Sequence, residues 1–377
     1  MGHSFVADMA GNVSTGKIPW WEPKLGEPVR NAVLDVIDSS YINDGPQTRA
    51  LENKLAEIAG VKYSVATPSC TSALAICLIA AGVGPGDEVI VPDVTFIATA
   101  NAVRLAGGTV KLVDVDADRL TISPERVAKS INPATKAIIA VDFNGRGADY
   151  RSLEDICDAN GLSLICDSAQ ALGSISHGQS LGSYGLAGCY SFSGHKMFFG
   201  GQGGAAVTNN ESFYERLRDL RDHSKRDFGP MGDTLHASVG FNFKYPSVNA
   251  AIVLSQLMEF DERMAHAKTR DDWYKNLLHG CNDVLFPAAK IEDGEVGLWA
   301  DAYVDNKKSL MGALEAANIE FRPFFLPLHR QSPYLQNDKL FPNALKAWEK
   351  GLWLPSALSL TRDQAQRVAD ICHNFSR

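Results

Sequence analysis

The stretch GCYSFSGHKMFFGGQGGAAVTN, residues 188–209, places one lysine between a Ser-Phe-Ser turn and a run of glycines. Lys196 thus has small residues around it and apolar residues on either side, whereas most lysines carry solvated charges. The glycines lead into the apolar segment GAAVTN rather than into a helix, and they match neither the P-loop nor the dinucleotide-binding fingerprint. We interpret them as positions of close backbone approach, which would enclose Lys196.

Seven short apolar runs surround this lysine in the sequence between residues 48 and 220. They are rich in β-branched residues and nearly continuous in apolar character, as expected for strands buried on both faces. Helical segments lie between them, one beginning at Ser123-Pro124-Glu125 and another near Ser152. This alternation predicts an α/β fold with a mostly parallel central sheet flanked by helices. The predicted strands are YSVAT (63–67), EVIVPD (88–93), VKLVDVD (110–116), KAIIAVDF (136–143), LSLICD (162–167), GCYSFS (188–193) and GAAVTN (204–209).

The rest of the chain predicts a second, smaller domain. Its 377 residues are too many for one simple core, so we expect two lobes. A helical pattern of about 30 residues begins near Asn249 and ends at Gly280. A strand, IEFRPFF (319–325), and a capping box at Thr361 follow it. The predicted boundaries are a large domain over residues 27–255 and a small α+β domain over residues 256–377, with residues 1–26 packing on the small domain.

Composition and charge argue against several classes of protein. The formal net charge is −8 and no basic cluster is present, which argues against nucleic-acid binding. No apolar run approaches the roughly 20 residues of a membrane span, and the N-terminus lacks the features of a signal peptide. The seven cysteines include no Cys-x-x-Cys pair, which favours a reducing compartment and argues against zinc. We expect a cytoplasmic protein that binds no metal, nucleic acid or membrane.

Polar or aromatic residues follow several predicted strands, where ligands bind in open α/β sheets. YSVAT runs into Cys70 and Thr71 ahead of a helix, which suits either a phosphate or an ordinary helix cap. LSLIC ends at Asp167, where an acid is costly unless it meets a cation or hydrogen-bond donors; it could also cap a helix. Phe96 follows EVIVPD and is either a core residue or part of a site.

Taken together, these residues match the needs of one cofactor, pyridoxal phosphate. This cofactor requires a lysine for its Schiff base, an anion near its ring nitrogen and donors for its phosphate. The anion keeps the ring nitrogen protonated, so that the ring can accept electrons from the substrate. Burial lowers the pKa of a lysine, which leaves the amine nucleophilic near neutral pH. Lys196 is therefore the predicted catalytic residue.

Longer motifs extend this interpretation to nearly the whole chain. They are GVGPGDEVIVPDVTFIATANAV (82–103), DSAQALGS (167–174), SFSGHK (191–196) and GFNFKYPSVNAAI (240–252), in that order. With them the chain resembles the DegT/DnrJ/EryC1/StrS sugar aminotransferases, which are fold-type I pyridoxal-phosphate enzymes. The resemblance implies a large domain with a mostly parallel sheet, a smaller α+β C-terminal domain, and a homodimer with shared active sites.

The resemblance also implies a role for each candidate residue. Lys196 would form the Schiff base and then act as the acid and base that moves the proton. Seven further residues would hold the cofactor: Asp167 at the ring nitrogen, Gln170 near the ring hydroxyl, Phe96 on the ring face, Cys70, Thr71 and Ser191 at the phosphate, and Asn242 at the phosphate in the other subunit's site. The chain departs from the common family pattern at Cys70, Ser168, Gln202 and Lys244, and the last two concern substrate contacts.

The segment FRPFFLPLHRQSPY (321–334) resembles the GDP-perosamine synthases and related C4 aminotransferases of 6-deoxy sugars. This implies transfer from glutamate to C4 of a nucleotide-linked 4-keto-6-deoxy sugar, GDP-linked in that group. Arg322 and His329 are candidates either for contacts to the nucleotide sugar or for structural roles.

Three other functions compete with this one. They are a 3-aminotransferase acting on dTDP- or UDP-sugars, a pyridoxal-dependent sugar dehydratase, and a non-catalytic regulatory protein of the same fold. One dehydratase of the group has histidine in place of the lysine, but the spacing from Ser191-Phe192 places Lys196, not His195, at the key position. Intact Lys196, Asp167 and Ser191 argue against a regulatory protein.

Overall fold

The computed structural model describes residues 16–228, 233–281, 283–287 and 289–375. Its helices are α1 (Glu27–Asp38), α2 (Pro46–Ala59), α3 (Cys70–Ala80), α4 (Ala98–Leu105), α5 (Pro124–Ser130), α6 (Tyr150–Asn160), α7 (Glu211–Arg221), α8 (Ser247–Leu257), α9 (Phe260–Leu277), α10 (Lys307–Ala316), α11 (Pro342–Lys350) and α12 (Arg362–Phe375). Its strands are β1 (Tyr63–Thr67), β2 (Glu88–Pro92), β3 (Thr109–Val113), β4 (Thr135–Val141), β5 (Ser163–Asp167), β6 (Ile175–Ser176), β7 (Gln179–Ser180), β8 (Ala187–Ser191), β9 (Gly204–Thr208), β10 (Lys225–Phe228), β11 (Asp233–His236), β12 (Val284–Leu285), β13 (Ala300–Val304), β14 (Arg322–Pro323) and β15 (Gly351–Leu354).

The seven strands predicted around Lys196 form the central sheet, in the order β1-β9-β8-β5-β4-β2-β3. All neighbours from β8 to β3 are parallel, whereas β9 runs antiparallel to both β8 and β1. Residues of β2, β4, β5, β8 and β9 are buried on both faces, which explains their continuous apolar runs. The prediction of an α/β fold with a mostly parallel central sheet is confirmed.

This topology brings several strand ends to one edge of the sheet. Because β9 is antiparallel to both its neighbours, β1 runs in the same direction as β8 and the other parallel strands. The carboxyl ends at Thr67, Pro92, Asp167 and Ser191 therefore open on the same edge. In open α/β sheets this is the edge at which ligands bind.

A smaller sheet, in the order β12-β13-β15-β14, lies in the C-terminal part of the chain. It has its own apolar core, shared with α9, α10 and α12 and centred on residues such as Leu310, Leu352 and Val368. Ile18 belongs to this core and pairs with Ile319, so the described part of the N-terminal segment packs on the smaller sheet. The core of the central sheet also includes residues beyond 255, such as Met264 and Trp353, so the two cores do not divide the chain at one position and the domain boundaries stay a prediction.

The prediction of one long helix from Asn249 to Gly280 is wrong. The chain forms two helices, because α8 ends at Leu257 and α9 begins at Phe260. Between them Glu259 donates its backbone N–H to the Gln256 carbonyl three residues earlier, which is a tight turn rather than an α-helical bond. The side chains of Gln256 and Arg263 bond across the turn, at 3.1 Å, and fix the relation of the two helices.

Two other boundaries also differ from the predicted ones. Helix α6 begins at Tyr150 rather than near Ser152, because Asp149 is the N-cap and accepts the Ser152 N–H. The predicted strand at residues 319–325 pairs only at Arg322 and Pro323, and proline has no N–H to donate to a ladder. The capping box is confirmed, since Thr361 and Gln364 exchange side-chain to backbone hydrogen bonds.

The described residues contain neither a membrane-spanning helix nor a metal-binding cluster. Among these residues, no helix combines the length and apolar character that a membrane crossing requires. In the same part of the chain, no group of three or more His, Cys, Asp and Glu side chains could hold a metal ion. All seven cysteines are buried, and Cys70, Cys77, Cys157, Cys166 and Cys189 are free thiols.

Close packing behind β8 requires a glycine at residue 188, and we expect Gly188→Ala to destabilise the protein. A Cβ there would overlap the Gly182 carbonyl oxygen, which is backbone and cannot rotate away. The expected loss is about 1–3 kcal/mol or more in the free energy of unfolding. The matched control is Gly312→Ala in α10, where a Cβ meets nothing within 4 Å; it should stabilise by about 1 kcal/mol. Urea-unfolding midpoints of both variants test this, and equal midpoints would contradict the packing.

Candidate active site

A cavity of ≈ 200 Å³ lies at the carboxyl edge of the central sheet. Residues from both sheets line it, because the smaller sheet lies over this edge with Trp299 and Arg322 in the cavity wall. Eight of the ten predicted site residues line this cavity: Cys70, Thr71, Phe96, Asp167, Gln170, Ser191, Lys196 and Arg322. Residues separated by more than 250 positions in the sequence therefore meet at one site.

Lys196 lies in the loop that follows β8, and its amine faces the cavity. Its Nζ is 5.4 Å from the centroid of the Trp299 ring. Burial lowers the pKa of Lys196 to about 8, and the nearby Arg322 guanidinium acts in the same direction. The carboxylate of Asp167 opposes this shift without cancelling it. Near neutral pH a part of the amine is therefore unprotonated and nucleophilic.

Asp167 is the last residue of β5 and is only 5% exposed. Its Oδ2 accepts a hydrogen bond from Thr99 Oγ1 at 2.6 Å, and its Oδ1 accepts the Ala169 N–H at 3.2 Å. Burial raises the pKa of Asp167, while these two donors and the charge of Lys196 act against the increase. Among the described residues, the groups that bond directly to this buried carboxylate are therefore neutral donors.

The N-terminus of α3 opens on the same cavity. Ser69 caps the helix through a reciprocal bond with Ser72, and Cys70 and Thr71 are its first residues. The first-turn N–H groups of a helix lack partners within the helix and carry a partial positive charge. Gly204 of β9 lies against the backbone of Ser69 and Cys70, where any Cβ would collide. This glycine therefore lets the strand approach the end of the helix.

Gln170 and Phe96 occupy other parts of the cavity wall. The Gln170 side-chain oxygen accepts the Asn144 N–H at 2.8 Å, which fixes its orientation. Phe96 is 52% exposed, which is unusual for a phenylalanine beside a sheet core, and its ring centroid lies 5.5 Å from that of Phe325. The Phe96 ring is thus available for contact with a bound molecule and is not buried in the core.

Sequence reasoning missed several residues of the site. Thr99 follows Phe96 by three residues at the start of α4, so helical spacing from Phe96 could have identified it. Trp299 directly precedes β13 and Phe325 follows β14 of the smaller sheet, and no local signal in the sequence indicated them. His195 also lines the cavity, and burial with the neighbouring charges of Arg322 and Lys196 lowers its pKa.

Two predicted site residues do not line this cavity. Asn242 is exposed and pairs with Asp222 through an isolated backbone bridge. His329 is completely buried, with its Nδ1 bonded to Asp93 at 2.5 Å and its Nε2 bonded to Asp338 at 3.1 Å. Of the two roles considered for His329, its placement favours the structural one.

Gln202 and Lys244, which depart from the common family pattern, lie in different surroundings. Gln202 lines the cavity, and its backbone carbonyl accepts the Tyr245 hydroxyl at 2.9 Å. Lys244 binds Asp222 of the same chain, with 2.7 Å between the Nζ and the carboxylate oxygen. The Lys244 charge is therefore partly neutralised within this chain.

Comparison with known proteins gives concordant matches over almost the whole chain. Residues 23–373 match the model of the DegT/DnrJ/EryC1/StrS aminotransferase family. The GDP-perosamine synthase of Caulobacter vibrioides is 33% identical over 362 residues, which cover 92% of this chain and 95% of that protein. The structure of S. venezuelae DesV matches with a TM-score of 0.90 at 28% identity, covering 96% of this chain and 99% of DesV. Spr1654 from Streptococcus pneumoniae in its PLP-form matches with a TM-score of 0.90 at 25% identity, covering 96% and 98% of the two chains.

These matches agree with the geometry of the site. A buried amine and a buried carboxylate share the cavity, and the first turn of α3 opens on it. The family resemblance and the fold-type I architecture that it implied are both confirmed. The chain belongs to the DegT/DnrJ/EryC1/StrS aminotransferase family.

Proposed function

We propose that the protein is a pyridoxal-phosphate-dependent enzyme that transfers an amino group from glutamate to C4 of a nucleotide-linked 4-keto-6-deoxy sugar. The observation that carries this proposal is the single cavity that Lys196 shares with Asp167. Similarity to the GDP-perosamine synthase of C. vibrioides supports a GDP-linked sugar. The resemblance of residues 321–334 to C4 aminotransferases supports C4 as the keto carbon that receives the amino group.

The cavity-lining residues fit pyridoxal phosphate. Asp167 is a buried carboxylate contacted by neutral donors, and a protonated ring nitrogen would supply the missing positive charge. The free N–H groups of Cys70 and Thr71 and the hydroxyl of Ser191 would hold the phosphate, and Phe96 would cover the ring. When bound, this cofactor supplies a conjugated ring that stabilises the electron pair left on the donor's α-carbon.

Lys196 would hold the cofactor covalently and move the proton. Its Nζ, with a pKa lowered to about 8 by burial, can donate a proton and take it back near neutral pH. The Trp299 ring beside it restricts access of water to the amine. Thr99 and the Ala169 N–H would keep the Asp167 carboxylate oriented toward the ring.

A homodimer with shared sites is the second part of the proposal. Asn242 is exposed and does not line the cavity of its own chain, as expected of a residue that serves a neighbouring subunit. The loop that carries it leads to Ser247, whose N–H binds the Ile42 carbonyl at 3.0 Å. Ile42 and Tyr41 are 51% and 61% exposed, so an apolar surface adjoins this loop. A two-fold contact there would complete two sites at once.

We also infer a reducing compartment, the cytoplasm, for this enzyme. The five cysteines at residues 70, 77, 157, 166 and 189 are free thiols. Cys77 and Cys189 have sulfur atoms 3.7 Å apart and are not joined. An oxidising compartment favours disulfides between such neighbours, so the free thiols support this inference.

A panel of nucleotide-linked 3-keto and 4-keto sugars, each offered with glutamate, tests the proposed function. We expect an amino sugar only from the 4-keto substrates, best with GDP, with products identified by mass spectrometry and NMR. Lys196→Ala should abolish this turnover, because the covalent anchor and the proton carrier are both lost. Near-normal transfer by the variant would show that another residue performs the chemistry, and products aminated at C3 would contradict the C4 assignment.

Asp167→Asn tests the electrostatic role of the buried carboxylate. The substitution is nearly isosteric but removes the charge, so the ring nitrogen would no longer be held protonated. We expect turnover to fall at least about a hundredfold, the size of other single electrostatic contacts in catalysis, while the thermal midpoint changes little. Ser168→Ala is the control for local packing, since the Ser168 hydroxyl donates a hydrogen bond to Asp142 and Ser168 does not line the cavity. Unchanged turnover in Asp167→Asn would refute the pairing.

Mixed dimers test whether the sites are shared. We expect both parent variants to be inactive alone. Lys196→Ala lacks the covalent anchor, and the new carboxylate of Asn242→Asp should repel the cofactor phosphate. In a mixed dimer with shared sites, one site carries both lesions and the other carries none, so activity should reappear. If every contact came from one chain, each site would keep one lesion. A failure to regain activity despite demonstrated subunit exchange would exclude the shared site.

A further inference from the structure

Arg322 is a half-buried arginine in the cavity wall without an ionic partner among the described residues. It lies in β14, and within the described chain no side chain or carbonyl accepts a hydrogen bond from it. By contrast, Arg119 and Arg330 are also half-buried, and each binds a carboxylate. Burial lowers the pKa of Arg322, and no anion in the described part of the chain opposes that effect. Such a guanidinium is partly desolvated without a bonded anion, which is the condition expected of a binding site for an anion.

Two aromatic rings hold this guanidinium in place. Its Cζ lies 5.1 Å from the centroid of the Trp20 ring and 5.4 Å from that of Phe325. Stacking of this kind contributes favourable cation–π energy and restricts the side chain. It uses the faces of the guanidinium and leaves the N–H groups at its edge, which match the two oxygens of a carboxylate or phosphate.

The other charged or titratable residues that line the cavity are not available to bind an anion of the substrate. Lys196 is committed to the chemistry under the proposed function, and Asp167 is an anion. His195 has a lowered pKa, because it is buried near Arg322 and Lys196, and is therefore mostly neutral near pH 7. Within the described lining, Arg322 is thus the cation that remains available to a substrate.

Both substrates of the proposed function carry anions that need such a cation. The amino donor is a dicarboxylate, and the sugar acceptor carries a diphosphate. We propose that Arg322 binds a carboxylate of the amino donor in one half of the cycle and the diphosphate of the sugar nucleotide in the other. Because one guanidinium serves both, the two ligands exclude each other. This inference rests on the proposed function and adds to it a shared anion anchor.

Equilibrium binding to the holoenzyme tests the anchor without turnover. The probes are glutarate, a dicarboxylate without an amino group, and GDP, each titrated by isothermal calorimetry. We expect saturating GDP to weaken glutarate binding competitively. Arg322→Gln should weaken both ligands roughly ten- to a hundredfold, as expected when a charge-assisted bidentate contact is lost. Arg322→Lys should retain part of the affinity, since it keeps the charge but not the paired donors.

Arg330→Gln is the matched control. Arg330 stacks on Trp348 at 5.1 Å and binds Asp338, and it does not line the cavity. This variant should bind both probes as the wild type does. Thermal midpoints and visible absorbance should show that all variants are folded and hold the cofactor.

Several results would overturn the shared anchor. They are unchanged binding of both probes by Arg322→Gln, loss of GDP binding alone, loss of glutarate binding alone, simultaneous binding of both probes, or no binding of either probe to the wild type. The proposed function fails separately. Absence of amino transfer with every keto sugar, together with Arg322-dependent and competitive binding of both probes, would refute the sugar substrate and keep the shared anchor.

Discussion

The burial of opposite charges on Asp167 and Lys196 within one cavity is the constraint on which the rest of the structure depends. Removing a carboxylate and an amine from water costs several kcal/mol per ion unless other groups compensate. The fold compensates only in part, with the Thr99 hydroxyl and the Ala169 N–H at the carboxylate. The shifts of the two pKa values, upward for Asp167 and downward for Lys196, record the remaining cost. The central sheet makes the arrangement feasible because β5 and β8 are parallel neighbours.

The side chain of Asn144, in the turn that follows β4 of the central sheet, ties the segment before β13 to the cavity wall. Asn144 bonds to both the N–H and the carbonyl of Trp299, each at 2.8 Å, while its own N–H binds Gln170. Trp299 in turn packs against Trp20 and Trp353, with ring centroids 5.4 and 4.6 Å away. The N-terminal segment, β13 and β15 are therefore joined at the cavity wall. Packing in this aromatic cluster determines the position of the Trp299 ring beside the amine.

The buried pair of Asp93 and His329 connects two loops that border the site. Asp93 follows β2 and leads toward Phe96, whereas His329 follows Phe325 by four residues. Asp93 accepts the backbone N–H of His329 at 2.7 Å in addition to its ring nitrogen, and burial raises the pKa of Asp93 to about 6. His329 also stacks on Phe341 at 4.7 Å. These contacts give the imidazole a structural environment, which is one of the two roles that its motif left open.

The sequence by itself determined the strands of the central sheet and the local chemistry at their ends. Strands buried on both faces require unbroken apolar runs, and the residue types at Asp167 and Lys196 are costly there without a function. Tertiary structure alone decided which distant groups join them. Trp299 and Arg322 reach the cavity only because the smaller sheet covers the edge, and His329 is withdrawn from it by Asp93. The turn between α8 and α9 is likewise bridged by a side-chain hydrogen bond from Arg263 to Gln256, which no helical periodicity encodes. Periodicity reports the local burial of each element, whereas the contents of a site depend on how separate elements pack.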